Sequence, residues 1–463
     1  MVFLEKVNGF IWGLPALMLI VSVGIYLCIR CKLPQVTLLP KAIMHFFAQF
    51  RSRNKRGGIS GYQALCTALA ATVGTGNLIG VAGAIVIGGP GAIFWMWVFG
   101  FLGMGIKFAE VTLAVRFRST NSNHEFVGGP MYIIQNGLKK PFHWLATLYC
   151  IFGVAASFGV GNAAQVNAAV TGIDFLLIRS GGSQSFQVHL ITGLLLAGFV
   201  GTVLLGGAKR IGCAAEKVIP FAACGYLLLS LLVIILRISE IPNVFSSIIS
   251  GAFSPKAATG GALGSAFVTM RVGASRGTFT NEAGMGTASI AHAGADTDHP
   301  VSQGLMGIME VFIDTILICT LTAIVILSSG ILVPYGVGEG ATLTMDAFSF
   351  VLGSWIEIPL SLTIVCFAIA TILGWSLYGI RCAQFLFGEN SWRAFAFIQT
   401  VVVLIGAIID TKTAWLFSEL LNGLMLIPNM IAILTLTSVL CTEIESYKNR
   451  GMADRHAPRR RLF

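Results

Sequence analysis

Long apolar segments alternate with short polar connections along almost the whole 463-residue chain. An α-helix that crosses a membrane needs about 20 predominantly apolar residues. Segments of this kind predict eleven spans, which we number in chain order. They cover about residues 9–30, 62–88, 90–117, 143–171, 187–207, 212–237, 261–292, 299–330, 357–385, 391–410 and 412–441. The pattern therefore predicts an all-α membrane protein that is embedded in the lipid bilayer.

Composition supports the same reading. Hydrophobic residues make up 55% of the chain and charged residues 11%, whereas soluble proteins carry roughly 25% charged residues. The N-terminal segment lacks the pattern of a cleaved signal peptide, because Glu5 and Lys6 cancel and the apolar stretch is long enough to span. The ten cysteines are scattered, mostly inside apolar segments, and form no Cys/His cluster, so we expect neither a disulfide framework nor a bound metal centre.

Lysine and arginine predict the orientation of the spans, since these residues are enriched in cytoplasmic connections. If the connection 30–60 is cytoplasmic, 22 of the 30 basic residues fall on the cytoplasmic side, five on the outer side and three inside spans. This predicts a multi-pass inner (plasma) membrane protein with an outer N-terminus and a cytoplasmic C-terminus. The net charge of +10 is thereby explained without nucleic acid as a partner.

Two spans contain polar, glycine-rich interruptions. Span 2 contains Gly74-Thr75-Gly76-Asn77, and span 7 contains GASRGTFTNEAGMG at residues 273–286. Glycine inside a helix costs about 1 kcal/mol relative to alanine, and broken helix at membrane depth is tolerated only against protein or a water-filled cavity. We therefore expect the two breaks to face each other or a cavity. Close helix packing by small residues is the alternative explanation.

The positions of the breaks predict an internal repeat. If span 1 is an accessory helix, the breaks fall in the first and sixth of ten remaining helices, so two five-helix halves enter the membrane with opposite orientation. Secondary transporters of this plan bind substrate at the midplane between the breaks. The predicted segments are an accessory helix and basic cytoplasmic connection (1–60), a first repeat (61–237), an outer connection (238–260), a second repeat (261–441) and a basic cytoplasmic tail (442–463).

The ends of a broken helix suit a zwitterion and a hard cation. Free N–H groups bind a carboxylate, and free carbonyls with nearby hydroxyls bind Na⁺. The candidate substrate-binding residues are Thr75, Gly76, Asn77, Phe158, Asn162, Gln165, Thr280, Asn281 and Trp375. The candidate Na⁺-binding residues are Thr72, Val73, Thr75, Thr371, Gly374 and Ser376. Asn162 and Gln165 are one helical turn apart, which predicts that both amides lie on one face of span 4.

Several ionisable residues fall inside spans, and their roles stay open. Glu282 is expected to accept the substrate ammonium, to assist an ion or to bind Arg276. Lys107 and Glu110, spaced i,i+3, are expected to pair with each other. Two further acids, Glu310 and Asp314, lie in span 8, and Arg271 and Arg276 are their candidate partners. We expect these groups to act in structure or gating, and the dispersed histidines give little support for a proton relay.

Six motifs carry a resemblance to a known family. They are VGTGNLIGVAGAIVIGGPGAIFWMWVFGFLGM, GGPMYII, RGTFTNEAGMGTASIAHA, HPVSQG, FIDTILICTLTAIVIL and NGLMLIPN. With these motifs the chain resembles the alanine or glycine:cation symporter family, also called sodium:alanine symporters. The resemblance implies the leucine-transporter fold with one extra N-terminal helix. It also implies Na⁺-driven uptake of alanine or glycine, with D-alanine or glutamine carried by some members, and no organic cofactor.

The resemblance also implies roles for particular residues. Thr75, Gly76 and Asn77 match the break that faces substrate, and Gln165 matches the family's amide in span 4. Thr371 and Trp375 match an ion position and a pocket position in span 9, while Asn281 belongs to the second break.

The sequence thus predicts a Na⁺-coupled symporter of a small neutral amino acid that works by alternating access. Alternatives within the same fold are Na⁺-coupled glutamine uptake, a proton-coupled carrier, and a channel or sensor. A membrane enzyme would need a nucleophile, base or metal clustered near one interface, and no such cluster occurs in the sequence. Oligomeric state stays open, with a monomer consistent with the pattern.

Overall fold

The computed structural model describes residues 2–51, 59–254, 266–336, 340, 342–409 and 411–456. Described helices in the first half are α1 Val2–Ile11, α2 Leu14–Arg30, α3 Pro34–Thr37, α4 Leu39–Arg51, α5 Gly61–Thr72, α6 Val81–Gly88, α7 Gly91–Arg116, α8 Pro130–Gly137, α9 Trp144–Phe158, α10 Ala164–Arg179, α11 Phe186–Leu204, α12 Gly207–Leu236 and α13 Ile241–Phe253. Strands β1 Ser119–Thr120 and β2 Phe126–Val127 pair antiparallel between α7 and α8.

Described helices in the second half are α14 Ala266–Asn281, α15 Thr287–Ala293, α16 Pro300–Val311, α17 Thr320–Ser328, α18 Leu343–Leu352, α19 Glu357–Phe387, α20 Trp392–Ile408, α21 Thr411–Thr435 and α22 Thr437–His456. Three π-helical segments, Gly76–Gly80, Gly159–Ala163 and Phe312–Cys319, join α5 to α6, α9 to α10 and α16 to α17. Short 3₁₀ turns precede α9, α13, α19 and α20. The chain is therefore all-α apart from one small hairpin.

Eight stretches of described helix are long and apolar enough to cross a membrane, or ten if each of two bent pairs is one span. The eight correspond to predicted spans 1, 3, 4, 5, 6, 8, 9 and 10. One bent pair, with a 49° bend, is span 2, and the other, with a 60° bend, joins span 11 to the tail helix α22. Span 7 consists of α14 and α15, which are too short and too polar to count as membrane-spanning helices by length and hydropathy. Residues 261–265, at the predicted start of this span, lie outside the described part of the chain.

The outer connections each contain a helix: α13 lies in the first and α18 in the second. The hairpin β1–β2 and the helices α3 and α4 have no counterpart in the span pattern, since they are short or amphipathic and lie in connections. The π-helical segments were also missed, because one extra residue in a turn leaves no mark in an apolar sequence.

Helix α7 forms the centre of the bundle and packs against α2, α13, α14 and α16. Its glycines make this possible. A Cβ at Gly100 would lie 2.9 Å from Thr315 Cγ2, and one at Gly103 would lie 3.1 Å from Ala283 Cβ. Contacts this short require a neighbour to shift, so the glycines let α7 approach both the π-helical segment of span 8 and the break in span 7.

Candidate functional site

The predicted break in span 2 is present. Helix α5 ends at Thr72, Val73 adopts an extended conformation (φ −78°, ψ 100°), and the chain resumes as the π-helical segment Gly76–Gly80. The last carbonyls of a helix have no donor within it; here the N–H of Val73 still reaches Leu69 O at 2.7 Å. The carbonyls of the last turn, up to Val73, are therefore the candidates for the free ends that the sequence predicts, whereas the carbonyl of Gly74 accepts from the N–H of Asn77 at 3.2 Å.

The break in span 7 is present but lies closer to the C-terminal end of the span than the sequence suggests. Helix α14 is continuous through Asn281, so Thr280 belongs to regular helix. The break is the five-residue turn from Glu282 to Gly286, where Glu282, Gly284 and Gly286 have left-handed φ values of 54°, 95° and 77°. Glycine is needed at Gly286 for space as well, since a Cβ there would lie 2.3 Å from Pro130 Cγ.

The first break lies against the end of the helix that leads into the second break. A Cβ at Gly76 would lie 3.3 Å from Thr280 Cγ2 and 3.9 Å from the ring of Phe279. The absence of a side chain at Gly76 therefore lets the first break lie directly against the last turn of α14.

An asparagine next to each break makes one contact to the broken backbone and one contact to span 8. Asn77 Oδ1 accepts from the N–H of Gly74 at 2.8 Å, and its Nδ2 donates to Asp314 Oδ1 at 2.7 Å. Asn281 Oδ1 accepts from the N–H of Ala283 at 2.9 Å, and its Nδ2 donates to Thr315 Oγ1 at 3.1 Å. Both asparagines thus bridge an unwound backbone to adjacent residues in the π-helical segment of span 8.

Gln165 connects span 4 to the first break. The hydroxyl of Thr75 donates to Gln165 Oε1 at 2.7 Å, and Gln165 Nε2 donates to Val160 O at 3.1 Å. Asn162 contacts a different neighbour, because its Nδ2 donates to Gln399 O of α20 at 2.7 Å. The two amides therefore bind different helices, and their placement on one face of span 4 stays a prediction.

Thr371 is the ion candidate that the geometry supports most directly. Its buried hydroxyl has no hydrogen-bond partner among the described residues, and a Cβ at Gly74 would lie 2.5 Å from that oxygen. An orphaned buried hydroxyl beside free helix-end carbonyls is an all-oxygen set, which suits a hard cation such as Na⁺. The residues present therefore fit the ion that the sequence predicts.

The other predicted ion residues have local partners. Thr72 Oγ1 donates to Ala68 O, while Ser376 Oγ donates to Ile372 O and accepts from Gln399 Nε2. Gly374 makes close packing possible, since a Cβ there would lie 2.8 Å from the backbone N of Ala71. Their role as ion ligands stays a prediction.

Trp375 of span 9 lies against spans 4 and 7. Its indole Nε1 donates to Glu282 Oε1 at 2.8 Å, and a Cβ at Gly161 would lie only 2.2 Å from Trp375 Cβ. The missing side chain at Gly161 therefore makes room for the indole. Phe158, half-buried in the same span 4, stacks on Phe395 with ring centroids 5.1 Å apart.

The acids have other partners than the sequence predicted. Glu282 accepts from Trp375 and from the Thr287 hydroxyl, while Arg276 pairs with Glu419 at 2.6 Å, so the expected Glu282–Arg276 pair is wrong. Asp314 likewise binds Asn77 and Thr315 in place of an arginine.

Lys107 and Glu110 do not pair with each other either. Lys107 Nζ lies 3.4 Å from Glu310 Oε1. Glu110 Oε1 instead accepts from the N–H groups of Gly284 and Gly286 at 2.8 and 3.1 Å, and from Asn429 Nδ2 at 2.7 Å. Apolar periodicity predicts which residues share a helix but not how one helix is rotated against the next. These partners therefore could not be predicted from the sequence.

Polar contacts, which we call the end contacts, lie on both sides of the breaks. On the predicted outer side, the Thr344 hydroxyl of α18 donates to Leu78 O at 2.9 Å, and Arg179 Nη2 donates to Asp346 Oδ1 at 2.9 Å. On the predicted inner side, Arg118 Nη1 donates to Ala295 O at 2.7 Å beyond the end of α15. Thr75, Asn77, Gln165 and Trp375 between them are all buried.

Comparisons with known proteins agree with this architecture. Residues 1–460 match the sodium:alanine symporter family. The chain is 40% identical over 450 residues to the sodium/alanine symporter AgcS of Methanococcus maripaludis, covering 96% of each chain. It is 36% identical over 452 residues to the probable sodium/glutamine symporter GlnT of Bacillus subtilis, covering 96% of this chain and 90% of that protein.

A solved structure shows the fold. The crystal structure of MhsT in complex with L-phenylalanine matches with a TM-score of 0.57 and 16% sequence identity, covering 83% of this chain and 90% of that chain. MhsT has the leucine-transporter fold, so the fold implied by the sequence motifs is confirmed.

Together the apolar helices, the two breaks and the relatives describe a multi-pass membrane transporter rather than an enzyme. They support a sodium-coupled amino-acid symporter with Na⁺ as the coupling ion. The chain belongs to the sodium:alanine symporter family.

Proposed function

We propose that this protein imports a small neutral amino acid, namely alanine, glycine or D-alanine, together with Na⁺ by alternating access. The observation that carries the proposal is the pair of neighbouring helix breaks, each bridged by an asparagine to span 8. N–H groups near Gly76, at the start of the second piece of span 2, would bind the substrate carboxylate. Gly76, Asn77 and Gln165 lie around this point.

The size of the substrate is argued from close packing. Gly74, Gly76 and Gly161 each lie against a neighbouring side chain. A Cβ added at any of them would lie closer to that side chain than an ordinary van der Waals contact. Trp375 is fully buried and held by Glu282, so it would form a fixed wall. A site lined by glycine backbone and a fixed indole favours a side chain of hydrogen or methyl size over a longer one.

The ion would bind between the end of α5 and Thr371. Carbonyls near Thr72, Val73 and Thr75 and the Thr371 hydroxyl supply oxygens without a net charge, so Na⁺ would bring the positive charge that balances the substrate carboxylate. Inward movement of one Na⁺ contributes about 2.3 kcal/mol per 100 mV of membrane potential. Substrate and ion would therefore stabilise the closed arrangement together, and transport would follow from opening of the outer and inner end contacts in turn.

The topology belongs to the same proposal. We assign eleven spans, with span 1 as an accessory helix and two inverted five-helix repeats starting at spans 2 and 7. The excess of lysine and arginine in alternate connections supports an outer N-terminus, a cytoplasmic C-terminus and location in the inner membrane.

Glutamine is the second candidate substrate, because the relative GlnT is named a probable sodium/glutamine symporter. A glutamine side chain would need Trp375 to move away from Gly161. A panel of substrates therefore separates the two candidates.

The test uses purified protein in liposomes with labelled alanine, glycine and glutamine. We expect accumulation of alanine or glycine under an inward Na⁺ gradient and little without it. Glutamine accumulation above both would reassign the substrate, and accumulation that follows a pH gradient without Na⁺ would overturn Na⁺ coupling. Flux far above carrier turnover would favour a channel.

A further inference from the structure

The motifs IAHA at the end of span 7 and HPVSQG at the start of span 8 meet at His292, which the proposed transport site does not use. The imidazole is fully buried. Its Nε2 lies 3.1 Å from Glu310 Oε2, and its Nδ1 lies 2.7 Å from Gln303 Nε2. The ring is therefore held at both nitrogens, by side chains of one helix, α16.

These partners set the protonation of the ring. An amide Nε2 can only donate, so with the amide placed this way His292 Nδ1 accepts and carries no proton. The one proton of the neutral ring is then on Nε2, where it is donated to Glu310. Gln303 Nε2 also reaches the carbonyl of Gly61, the first residue of α5, at 3.4 Å.

The same amide can serve a second state. Gln303 Oε1 is buried and has no hydrogen-bond partner among the described residues, which is costly for a carbonyl oxygen. Rotation of the amide by half a turn about its last side-chain bond would bring Oε1 to His292 Nδ1. Only a ring protonated at Nδ1 can donate to it there. The site thus has two hydrogen-bonded forms that differ by one proton.

Several charged groups lie around Glu310, the carboxylate partner of the imidazole. Lys107 lies 3.4 Å from Glu310, and Glu110 follows Lys107 by one turn of α7. Glu282 and Asp314 also interact electrostatically with Lys107 and Glu310. Other charged or titratable side chains on the elements around α15 are Tyr62 and Cys66 of α5, Arg116 of α7, Arg118 of the hairpin connection, Tyr132 of α8, and Tyr378, Arg381 and Cys382 of α19.

We propose that His292, Glu310 and Gln303 form a proton-binding site at the inner end of the transporter. One proton from the cytoplasm adds to the lone pair of His292 Nδ1, the Nε2–H stays on Glu310, and the Gln303 amide turns. The turn removes the hydrogen bond from Gln303 Nε2 to Gly61 O. Because Gly61 begins the inner half of span 2, a proton at this site loosens that end and speeds opening to the cytoplasm.

The proposed proton-binding site depends on the proposed function in two respects only: which side of the membrane the site faces, and how a bound proton affects transport. The first experiment measures Na⁺-driven amino-acid uptake by the full-length protein in liposomes with internal buffer at about pH 8 or about pH 6 and the outer pH held constant. We expect the lower internal pH to raise the initial rate about threefold or more, because a larger share of the proposed sites would hold a proton at the higher proton concentration. His292→Gln should keep Na⁺-dependent uptake and lose the response to internal pH.

Two further variants separate a proton site from a structural role. His189→Gln removes another histidine–carboxylate pair, with Asp174 at 2.9 Å on the predicted outer side, and should keep the response to internal pH. Gln303→Leu removes the acceptor of the protonated form and should move the midpoint of the response to lower internal pH. Equal slowing of His292→Gln at both internal pH values with the wild-type response retained would overturn the proposal, as would a wild-type rate that ignores internal pH.

A second measurement does not depend on transport. Nuclear magnetic resonance of labelled imidazole nitrogens should show His292, assigned by its absence in His292→Gln, gain a proton at Nδ1 as the pH is lowered. A ring that keeps its neutral form down to about pH 5, below the ordinary histidine range, would contradict the proton site. Loss of Na⁺ dependence in the uptake assay together with normal titration would instead contradict the proposed function alone.

Discussion

The two helix breaks use the same asparagine bridge but differ in length and in charge. The first is a short interruption at Val73 and Gly74 made of neutral residues. The second is a five-residue turn from Glu282 to Gly286, held by two carboxylates. Glu110 binds the backbone of the turn from α7, and Glu282 reaches out of the turn to Trp375. One break is thus left with free backbone groups and the other is tied to its surroundings.

The predicted internal repeat would make the two breaks equivalent, but this difference indicates that they have different roles. Free carbonyls and a lone hydroxyl at the first break suit an ion, which must arrive from outside. The second break carries its own negative charge and has its backbone groups satisfied, so it suits a fixed wall that positions Trp375. We therefore expect substitutions at the second break to change stability and the fit of the substrate side chain, and substitutions at the first break to change ion dependence and binding of the substrate carboxylate.

The largest effect is expected from Glu110→Ala. The substitution leaves the N–H groups of Gly284 and Gly286 without their buried anion and removes a charge near Lys107. Breaking a buried charged contact costs about 3 kcal/mol or more, so the melting temperature of the detergent-solubilised protein should fall clearly. An unchanged melting temperature would show that the second break is not held by this carboxylate. Arg116→Ala, at an exposed position on the same helix, is the control.

Gly161→Ala tests the wall formed by Trp375. The added Cβ would overlap the indole, and overpacking of this kind costs about 2 kcal/mol, which is about thirtyfold in substrate affinity if it is expressed in the site. Calorimetric titration with alanine measures it. Gly172→Ala in the same helix has its nearest contact at 3.6 Å and should bind as the wild type does. Equal affinity in both variants would remove Trp375 from the site.

Asn77→Ala and Asn281→Ala compare the two bridges directly. Asn77 donates to a carboxylate and Asn281 to a hydroxyl. Hydrogen bonds to charged groups are worth about 2 kcal/mol against about 1 kcal/mol for neutral ones. We expect Asn77→Ala to weaken substrate binding more, with both variants still inserted in the membrane. A larger loss from Asn281→Ala would reverse the assignment of roles.

The smallest effect is expected from Thr371→Val, which removes one oxygen near the end of α5 and keeps the side-chain shape. The Na⁺ concentration for half-maximal uptake should rise about fivefold, the equivalent of about 1 kcal/mol. The maximal rate at saturating Na⁺ should change little. Thr363→Val removes a hydroxyl that only donates to Pro359 O in the same helix and should have no such effect. Matching Na⁺ curves for the two variants would exclude Thr371 as a ligand.

The sequence predicted the spans and the breaks because both depend on local composition. Runs of apolar residues are long enough to cross a bilayer, and Gly74 and Gly76 mark an interruption that lipid would not tolerate. The second break was predicted over residues 273–286, but α14 continues to Asn281, because polar side chains such as Thr280 are compatible with helix when protein surrounds them. Glycines at left-handed φ, Gly284 and Gly286, mark the true turn.

The partners of the charged residues could not be predicted from the same pattern. Lys107 was expected to pair with Glu110 because they are close in sequence, yet it contacts Glu310 in another helix. Such contacts depend on how helices are rotated against each other and on π-helical segments, as at Asn162, and neither is visible in apolar spacing. Glycine spacing in α7 could have indicated which face approaches span 8, because Gly100 and Gly103 share one side.

The central claim is that the two breaks together bind a small neutral amino acid and Na⁺. It is tested most directly by calorimetric titration of the purified protein with alanine, glycine and glutamine, with Na⁺ and with Na⁺ replaced by a larger monovalent cation. We predict binding of alanine or glycine that is at least about tenfold tighter in Na⁺, because the ion balances the bound carboxylate. Equal affinity with and without Na⁺, or binding that is unchanged in Asn77→Ala, would contradict the account.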